Sequence, residues 1–218
     1  MTRDLTDRVF DAVIFDMDGT LIDSTPAVLR AWTRWAIEEE ISAETLAGQH
    51  GVPAETVVRA VLPANRQQAA LDRINRLELT DLDGIVPLPG AADVFDRLPT
   101  DRAAIATSCT APLAAARLRA AGLRPPPVLV TVDDVENGKP HPDPYLMAAG
   151  RLGFDPTRCL VVEDAPKGIQ SAQAAGAATL AVVTTTPRAE LAADLVVDDL
   201  AAVDWQITPT GQIRLLNR

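Results

Sequence analysis

Apolar runs alternating with helix-type segments constrain the fold of this chain more than any other feature. Residues 12–15, 102–107, 128–132, 159–162 and 179–183 are largely apolar without polar alternation, and residues 195–197 continue the series. Such runs suit strands covered on both faces, as in a parallel sheet. Between them, residues 112–121, 144–152 and 166–175 read as helices followed by Gly122, Gly153 and Gly176. Glycine just past a helix takes the left-handed conformation that ends it. Strand, helix, glycine, strand, repeated, predicts an α/β fold with a doubly wound, mainly parallel sheet.

One stretch breaks this rhythm. From Ser24 to about Asp83 there is no strand candidate. Pro26 stands at a helix start, and Val28, Leu29, Trp32, Trp35 and Ala36 follow at helical spacing. Residues 42–49 and 54–61 read as short helices and 67–79 as a longer one, with Leu71, Ile74 and Leu77 on one face. Residues 84–90 read as a return linker. The expected organisation is a discontinuous α/β domain, residues 1–24 and 84–218, with a helical insert at 25–83. Trp32 and Trp35 are expected to pack inside that insert.

Composition excludes several classes of function. The chain has 218 residues, 47 % of them hydrophobic and 23 % charged, enough for a sizeable core. Its formal net charge of −10 and lack of a basic block argue against nucleic acid and anionic membranes as partners. No apolar stretch approaches the ~20 residues of a membrane span, and residues 1–11 lack the apolar region of a secretory signal. Cys109 and Cys159 are too few for a disulfide framework or a structural zinc set. Both are expected as buried free thiols of a cytoplasmic protein. Of 20 basic residues, only Lys139 and Lys167 are lysine, so a compact point charge at either place calls for an explanation.

The strand ends carry the chemistry. The first run is followed by Asp16-Met17-Asp18-Gly19-Thr20, the second by Thr107-Ser108. Lys139 lies in a proline-rich loop after the third run, and Glu163-Asp164 follows the fourth. In an open parallel sheet, ligands bind beyond the carboxyl ends of the strands. One sheet edge is therefore expected to gather paired carboxylates, small hydroxyls, a cation and further acids. Gly19 permits a tight turn and close approach of backbone to ligand.

These motifs resemble the haloacid dehalogenase superfamily of phosphotransferases. The matching pieces run from Phe15 to Ser24, with Thr107-Ser108, Gly138-Lys139-Pro140 and the segment from Glu163 to Ile169. The likeness spans nearly the whole chain, and the insert resembles the small α-helical cap of the phosphoglycolate-phosphatase and β-phosphoglucomutase branch. The resemblance implies Asp16 as nucleophile, giving an aspartyl-phosphate, and Asp18 as general acid and base. It implies Mg²⁺ held by Asp16, the Asp18 carbonyl and Asp164, with Glu163 as a second ligand or as an outer partner. Gly19, Thr107, Ser108 and Lys139 would bind the phosphoryl group.

Asp18 argues for phosphoryl transfer, since dehalogenases do not need an acid at that place. The His and Arg that β-phosphoglucomutase-like mutases carry in the cap align here with Val28 and Ala54, which speaks against a mutase. The cap turn at Gln49-His50-Gly51 nominates His50 for substrate contact. His141 and Lys167 are expected in structural or solvated roles. The expected activity is a Mg²⁺-dependent phosphatase of a small sugar or polyol phosphate, such as glycerol 3-phosphate or a hexose 6-phosphate. A phosphoglycolate phosphatase is the alternative, ahead of a phosphomutase or a non-catalytic binding relative. The partner is a small phosphorylated metabolite, and the chain is expected as a monomer or weak dimer. Residues 205–216 are expected to form a two-stranded ribbon turning at Pro209-Thr210-Gly211.

Overall fold

The computed structural model describes residue 5, residues 8–46 and residues 52–217. In chain order, strands β1 (Val9–Phe10), β2 (Ala12–Phe15) and β3 (Ile22–Asp23) lead into helices α1 (Thr25–Glu39), α2 (Ala43–Leu46), α3 (Ala54–Val61) and α4 (Ala64–Thr80). Then come β4 (Val86–Pro87), α5 (Ala91–Arg97), β5 (Ala103–Ala106), α6 (Ala111–Ala120), β6 (Val128–Val130) and α7 (Asp143–Leu152). The chain continues through β7 (Cys159–Glu163), α8 (Pro166–Ala174), β8 (Ala178–Val182), β9 (Leu195–Val197), β10 (Val203–Ile207) and β11 (Ile213–Asn217).

The central sheet has the order β6-β5-β2-β7-β8-β9, and every neighbouring pair is parallel. Alternate residues of each strand enter opposite layers. Val13, Phe15, Ile105, Leu160 and Val162 pack against Val94 of α5 and Leu113 and Leu118 of α6. Ala12, Ile14, Ala104, Ala106 and Val161 face Tyr145, Ala148 and Ala149 of α7 and Ala172 of α8. Two buried faces explain why these strands read as continuous apolar runs. Gly122, Gly153 and Gly176 all take positive φ after their helices, as expected.

Helices α1 to α4 form an inserted α-helical cap with a core of their own. It contains Ala31, Trp35, Val58, Leu62, Ala70 and Ile74. Trp35 is fully buried, its indole N–H donates to the Ala70 carbonyl at 2.9 Å, and Trp32 meets it edge to face at 5.2 Å. Truncating such a side chain costs roughly 3–5 kcal/mol. The two crossings between cap and core are tied together, since β3 and β4 pair antiparallel with Ile22 opposite Pro87. The segment expected as a plain linker thus contributes a strand, because its backbone groups find partners on the outgoing crossing. Helix α5 was not legible as a separate segment, being short and directly behind that linker. Of the helix expected at 42–49, Ala43–Leu46 is helical, Ser42 lies just before it, and residues 47–49 lie outside the described residues.

The tail forms the expected hairpin, turning through Thr208 to Gln212 with Gly211 at φ 81°. β11 also pairs with β1, and the Trp205 ring lies 6.0 Å from that of Phe15. Among the described residues, no helix is long and apolar enough to cross a membrane.

Candidate active site

Parallel register brings the motif residues to one edge. Phe15 stands opposite both Ile105 and Val162, so Asp16, Thr107 and Glu163 follow at the same carboxyl end. The Asp16 N–H donates to the Val162 carbonyl at 2.9 Å, which extends the ladder to the first acid. Lys139 reaches in from its loop and donates to Asp16 Oδ1 at 2.5 Å and to Glu163 Oε1 at 2.8 Å. Its side chain is 5 % exposed, so this is a buried ion pair in which geometry decides the energy.

Glu163 is fully engaged as an acceptor. Oε1 takes Lys139 and the Tyr145 hydroxyl at 2.7 Å, and Oε2 takes the N–H groups of Asp164 and Ala165 at 3.0 and 3.1 Å. Two oxygens with about four lone-pair sites are thereby used up. A Cβ on Gly168 would lie 1.6 Å from Glu163 Oε1, so only glycine leaves room for this carboxylate against α8. Asp164 accepts from Thr20 Oγ1 at 3.4 Å and from the Thr185 hydroxyl. Gly19 has φ +86°, and a Cβ there would lie 2.3 Å from Asp164 Oδ2. Both the turn and the close approach therefore require glycine.

Electrostatics at this cluster are those of acids crowded out of water. Burial pushes the Asp16 carboxyl up to about 7, against the pull of Lys139 and with Glu163 adding to the rise. Burial, then Glu163 and Asp16, push Asp164 well above the carboxylate range. Burial opposes the charge on Lys139, but Asp16 and Glu163 outweigh it and hold the ammonium well above its usual range. Asp16, Glu163 and Asp164 offer carboxylate oxygens that all lie within 4.8 Å of one another. Once ionised, three buried acids against one ammonium carry an excess of negative charge on hard oxygen donors, a set that fits a divalent cation such as Mg²⁺.

Asp18 meets different neighbours. Its Oδ1 accepts from Ser24 Oγ at 2.5 Å and from Arg117 Nη1 at 3.0 Å, and its Oδ2 accepts from Cys109 Sγ at 3.1 Å. Burial, then the Asp18 charge, push the Cys109 thiol far up, so it stays protonated and serves as donor. Arg117 continues to Glu78 Oε1 of α4 at 2.9 Å, from core to cap.

The family model described as haloacid dehalogenase-like hydrolase matches residues 10–176. The chain belongs to that family. It is 41 % identical over 208 residues to hexitol phosphatase A of Escherichia coli, covering 92 % of this chain and 96 % of that one. It is 30 % identical to glycerol-1-phosphate phosphohydrolase 2 of Saccharomyces cerevisiae, over 84 % of this chain and 78 % of that one. Among solved structures, a hydrolase from Pseudomonas syringae matches with TM-score 0.79 and 27 % identity, over 87 % of this chain and 94 % of that one. A β-phosphoglucomutase from Clostridium difficile shares the fold, with TM-score 0.76 and 21 % identity over 88 % of this chain and 92 % of that one. The protein is a phosphoric monoester hydrolase of the haloacid dehalogenase-like kind.

In this haloacid dehalogenase-like hydrolase, Asp16, Lys139, Glu163 and Asp164 come into one cluster, and Gly19 abuts Asp164. Thr107 is buried at the end of β5, where Oγ1 accepts the Cys109 N–H at 3.1 Å, and Ser108 follows it half-buried. His50 lies outside the described residues. Pro53 is near the site: a Cβ on Gly138, next to Lys139, would lie 3.6 Å from its Cγ. His141 pairs with Asp143 at 2.8 Å, and Lys167 is exposed at the start of α8. Both cysteines are free and buried.

Sequence reasoning missed Tyr145, Ser24, Arg117 and Glu78, and treated Cys109 as plain filling. A signal existed for two of them. Arg117 stands on the buried stripe of α6 with Leu113, Ala114 and Leu118, and Glu78 on that of α4 with Ala70 and Ile74. A charge on the apolar stripe of a helix is seldom accidental, because burial without a partner is costly.

Proposed function

We propose that this hydrolase removes phosphate from a small sugar or polyol monoester, of the hexitol or glycerol phosphate class, by way of an aspartyl-phosphate on Asp16. The observation that supports this reading most is the Lys139 ammonium between Asp16 and Glu163, beside Asp164, at the carboxyl edge of the sheet. The substrate class follows two phosphatases to which the chain is similar, hexitol phosphatase A and glycerol-1-phosphate phosphohydrolase 2.

Asp16 would form the bond to phosphorus while the bond from phosphorus to the leaving alkoxide breaks. Asp18 would hand its proton to that alkoxide and later take one from the water that attacks the acyl phosphate. Lys139, Thr107, the Ser108 N–H and the Gly19 turn would hold the phosphoryl oxygens as charge redistributes. Asp16, the Asp18 carbonyl and Asp164 would hold Mg²⁺, which when bound offsets the repulsion between an anionic nucleophile and an anionic ester. With its acceptor sites filled, Glu163 suits the outer role better: it fixes Lys139, Tyr145 and the turn that presents Asp164.

Residues 25–83 act in this reading as the cap over the core formed by 1–24 and 84–218. The cap excludes water and contacts the alcohol part of the substrate, with His50 in the adjoining turn as a specificity residue. A panel of glycerol 1-phosphate, a hexitol 6-phosphate, fructose 1-phosphate and phosphoglycolate, with and without Mg²⁺, tests the proposal. Polyol and sugar phosphates should lead the ranking, and Asp16→Asn should abolish turnover. Preference for phosphoglycolate, turnover without Mg²⁺, or an active Asp16→Asn protein would overturn it.

A further inference from the structure

We propose that Arg117 is a positioning residue for Asp18 and that Glu78, from the cap, sets how firmly it holds that carboxylate. The inference rests on the reading of Asp18 as acid and base. Arg117 is 4 % exposed on a helix face otherwise made of leucine and alanine. A guanidinium there is tolerable only through its partners, and these are specific. Nη1 reaches Asp18 and, at 3.2 Å, Cys109 Sγ, while Nη2 reaches Glu78. The Nε–H has no hydrogen-bond partner among the described residues, so packing has not optimised the site for stability alone.

The division of the fork carries the argument. Arginine binds a carboxylate most firmly with two parallel N–H groups. Here one Nη goes to each of two carboxylates, so Asp18 receives a single guanidinium bond as long as Glu78 keeps the other. Glu78 sits near the end of α4, three residues before Asp81 and the return crossing. Ser24, the other strong donor to Asp18, directly precedes α1 on the outgoing crossing. The outgoing connection thus holds Asp18 directly, and the last turn of α4 before the return crossing holds Arg117. Displacement of the cap moves Glu78 relative to α6 and releases the second Nη toward Asp18. Cap placement therefore decides whether this carboxylate is lightly held and available for proton transfer or clamped by a full fork.

Leaving-group dependence separates this role from a structural one. For this class of reaction, kcat/KM reports steps up to release of the alcohol. It needs the acid for an alkyl phosphate and hardly at all for 4-nitrophenyl phosphate, whose leaving group departs unaided. The wild type, Arg117→Lys, Arg117→Met, Glu78→Gln and Asp18→Asn are assayed on both esters with Mg²⁺. Arg117→Met and Arg117→Lys should lower the alkyl-to-aryl ratio of kcat/KM by about 10-fold or more, in the direction of Asp18→Asn. Glu78→Gln should lower it by about 3-fold, and the Glu78→Gln/Arg117→Met double variant should match Arg117→Met alone. Equal loss on both esters, or an unchanged ratio, would overturn the proposal, as would additive effects in the double variant. Should Arg117→Met not fold, Glu78→Gln, which leaves the guanidinium in place, decides by the same ratio. A wild type that hydrolyses neither ester would instead refute the phosphatase reading itself.

Discussion

Asp16 lies among Lys139, Glu163 and Asp164, whereas Asp18, two residues further along the same turn, lies among Ser24, Cys109 and Arg117. The first set is closed and belongs wholly to the α/β core. Its cation is a lysine, a compact charge that fits between two carboxylates. The second set lies at the seam with the cap, and its cation is an arginine whose fork reaches both sides. Asp18 is the more open of the two, its side chain 26 % exposed against 11 % for Asp16. The difference teaches that one short turn can serve two purposes, which in the proposed mechanism are a fixed nucleophile among charges and a carboxylate held at the seam between core and cap.

The largest expected effect tests the division directly. Asp16→Asn should lose on the order of 10⁴ or more in kcat on every ester, because in the proposed mechanism Asp16 alone forms the bond to phosphorus. Asp18→Asn should lose about 10²–10⁴ on alkyl phosphates and far less in kcat/KM on 4-nitrophenyl phosphate. Steady-state kinetics on both esters check this, and equal losses for both variants would erase the distinction. Next in size, Lys139→Ala should cost about 10²–10³ in rate on both esters alike, since the proposed mechanism places it on the phosphoryl group rather than on the leaving oxygen.

Mg²⁺ binding should appear in stability as well as activity. At a hundredfold excess over Kd, a ligand of the folded state alone adds about 2.7 kcal/mol. Thermal unfolding with Mg²⁺ and with a chelator should show that gain in the wild type and little of it in Asp164→Asn, whereas Asp18→Asn, which keeps its carbonyl, should retain it.

The pH dependence of the metal-free protein has a definite sign. Burial raises Asp16 from its ordinary 3.8 to about 7 in the folded state. Between those values the folded protein binds more protons than the unfolded chain, so unfolding free energy falls as pH rises. The contribution is complete below about 4 and lost by the time pH has passed through 7. Urea titrations in chelator at pH 5 and pH 8 should show the decline, and saturating Mg²⁺ should remove most of it. A metal-free protein that gains stability over that range would contradict the surroundings assigned to Asp16. The smallest expected effect is Tyr145→Phe. Loss of a buried hydrogen bond to a charged acceptor should cost about 1.5–3 kcal/mol, read as a lowered urea midpoint, with substrate ranking unchanged.

Much of the core was legible because its determinants are local or periodic. The runs around Ile14, Ile105 and Val161 read as strands covered twice, and the glycines after α6, α7 and α8 marked the helix ends. The motif acids could be placed at one edge because a parallel sheet delivers every carboxyl end to the same side. Tyr145 was invisible for the opposite reason. It looks like any large residue on the apolar side of α7, and only the packing of α7 against β2, β5 and β6 aims its hydroxyl at Glu163. Glycine at 168 read as part of a familiar string, but the reason for it, room for the Glu163 carboxylate, appears only with the helix docked.

By itself, then, the sequence determined the α/β class, the helical insert and the chemical character of the sheet edge. Each depends on residue type and spacing along the chain. Tertiary structure alone decided which charges share an environment. It joined Asp18, Arg117 and Glu78, positions 18, 117 and 78 of the chain, through contacts of 3.0 and 2.9 Å. Ion pairs of that kind follow from the docking of α4 on α6, and no local periodicity encodes how two helices from different parts of the chain come to face each other.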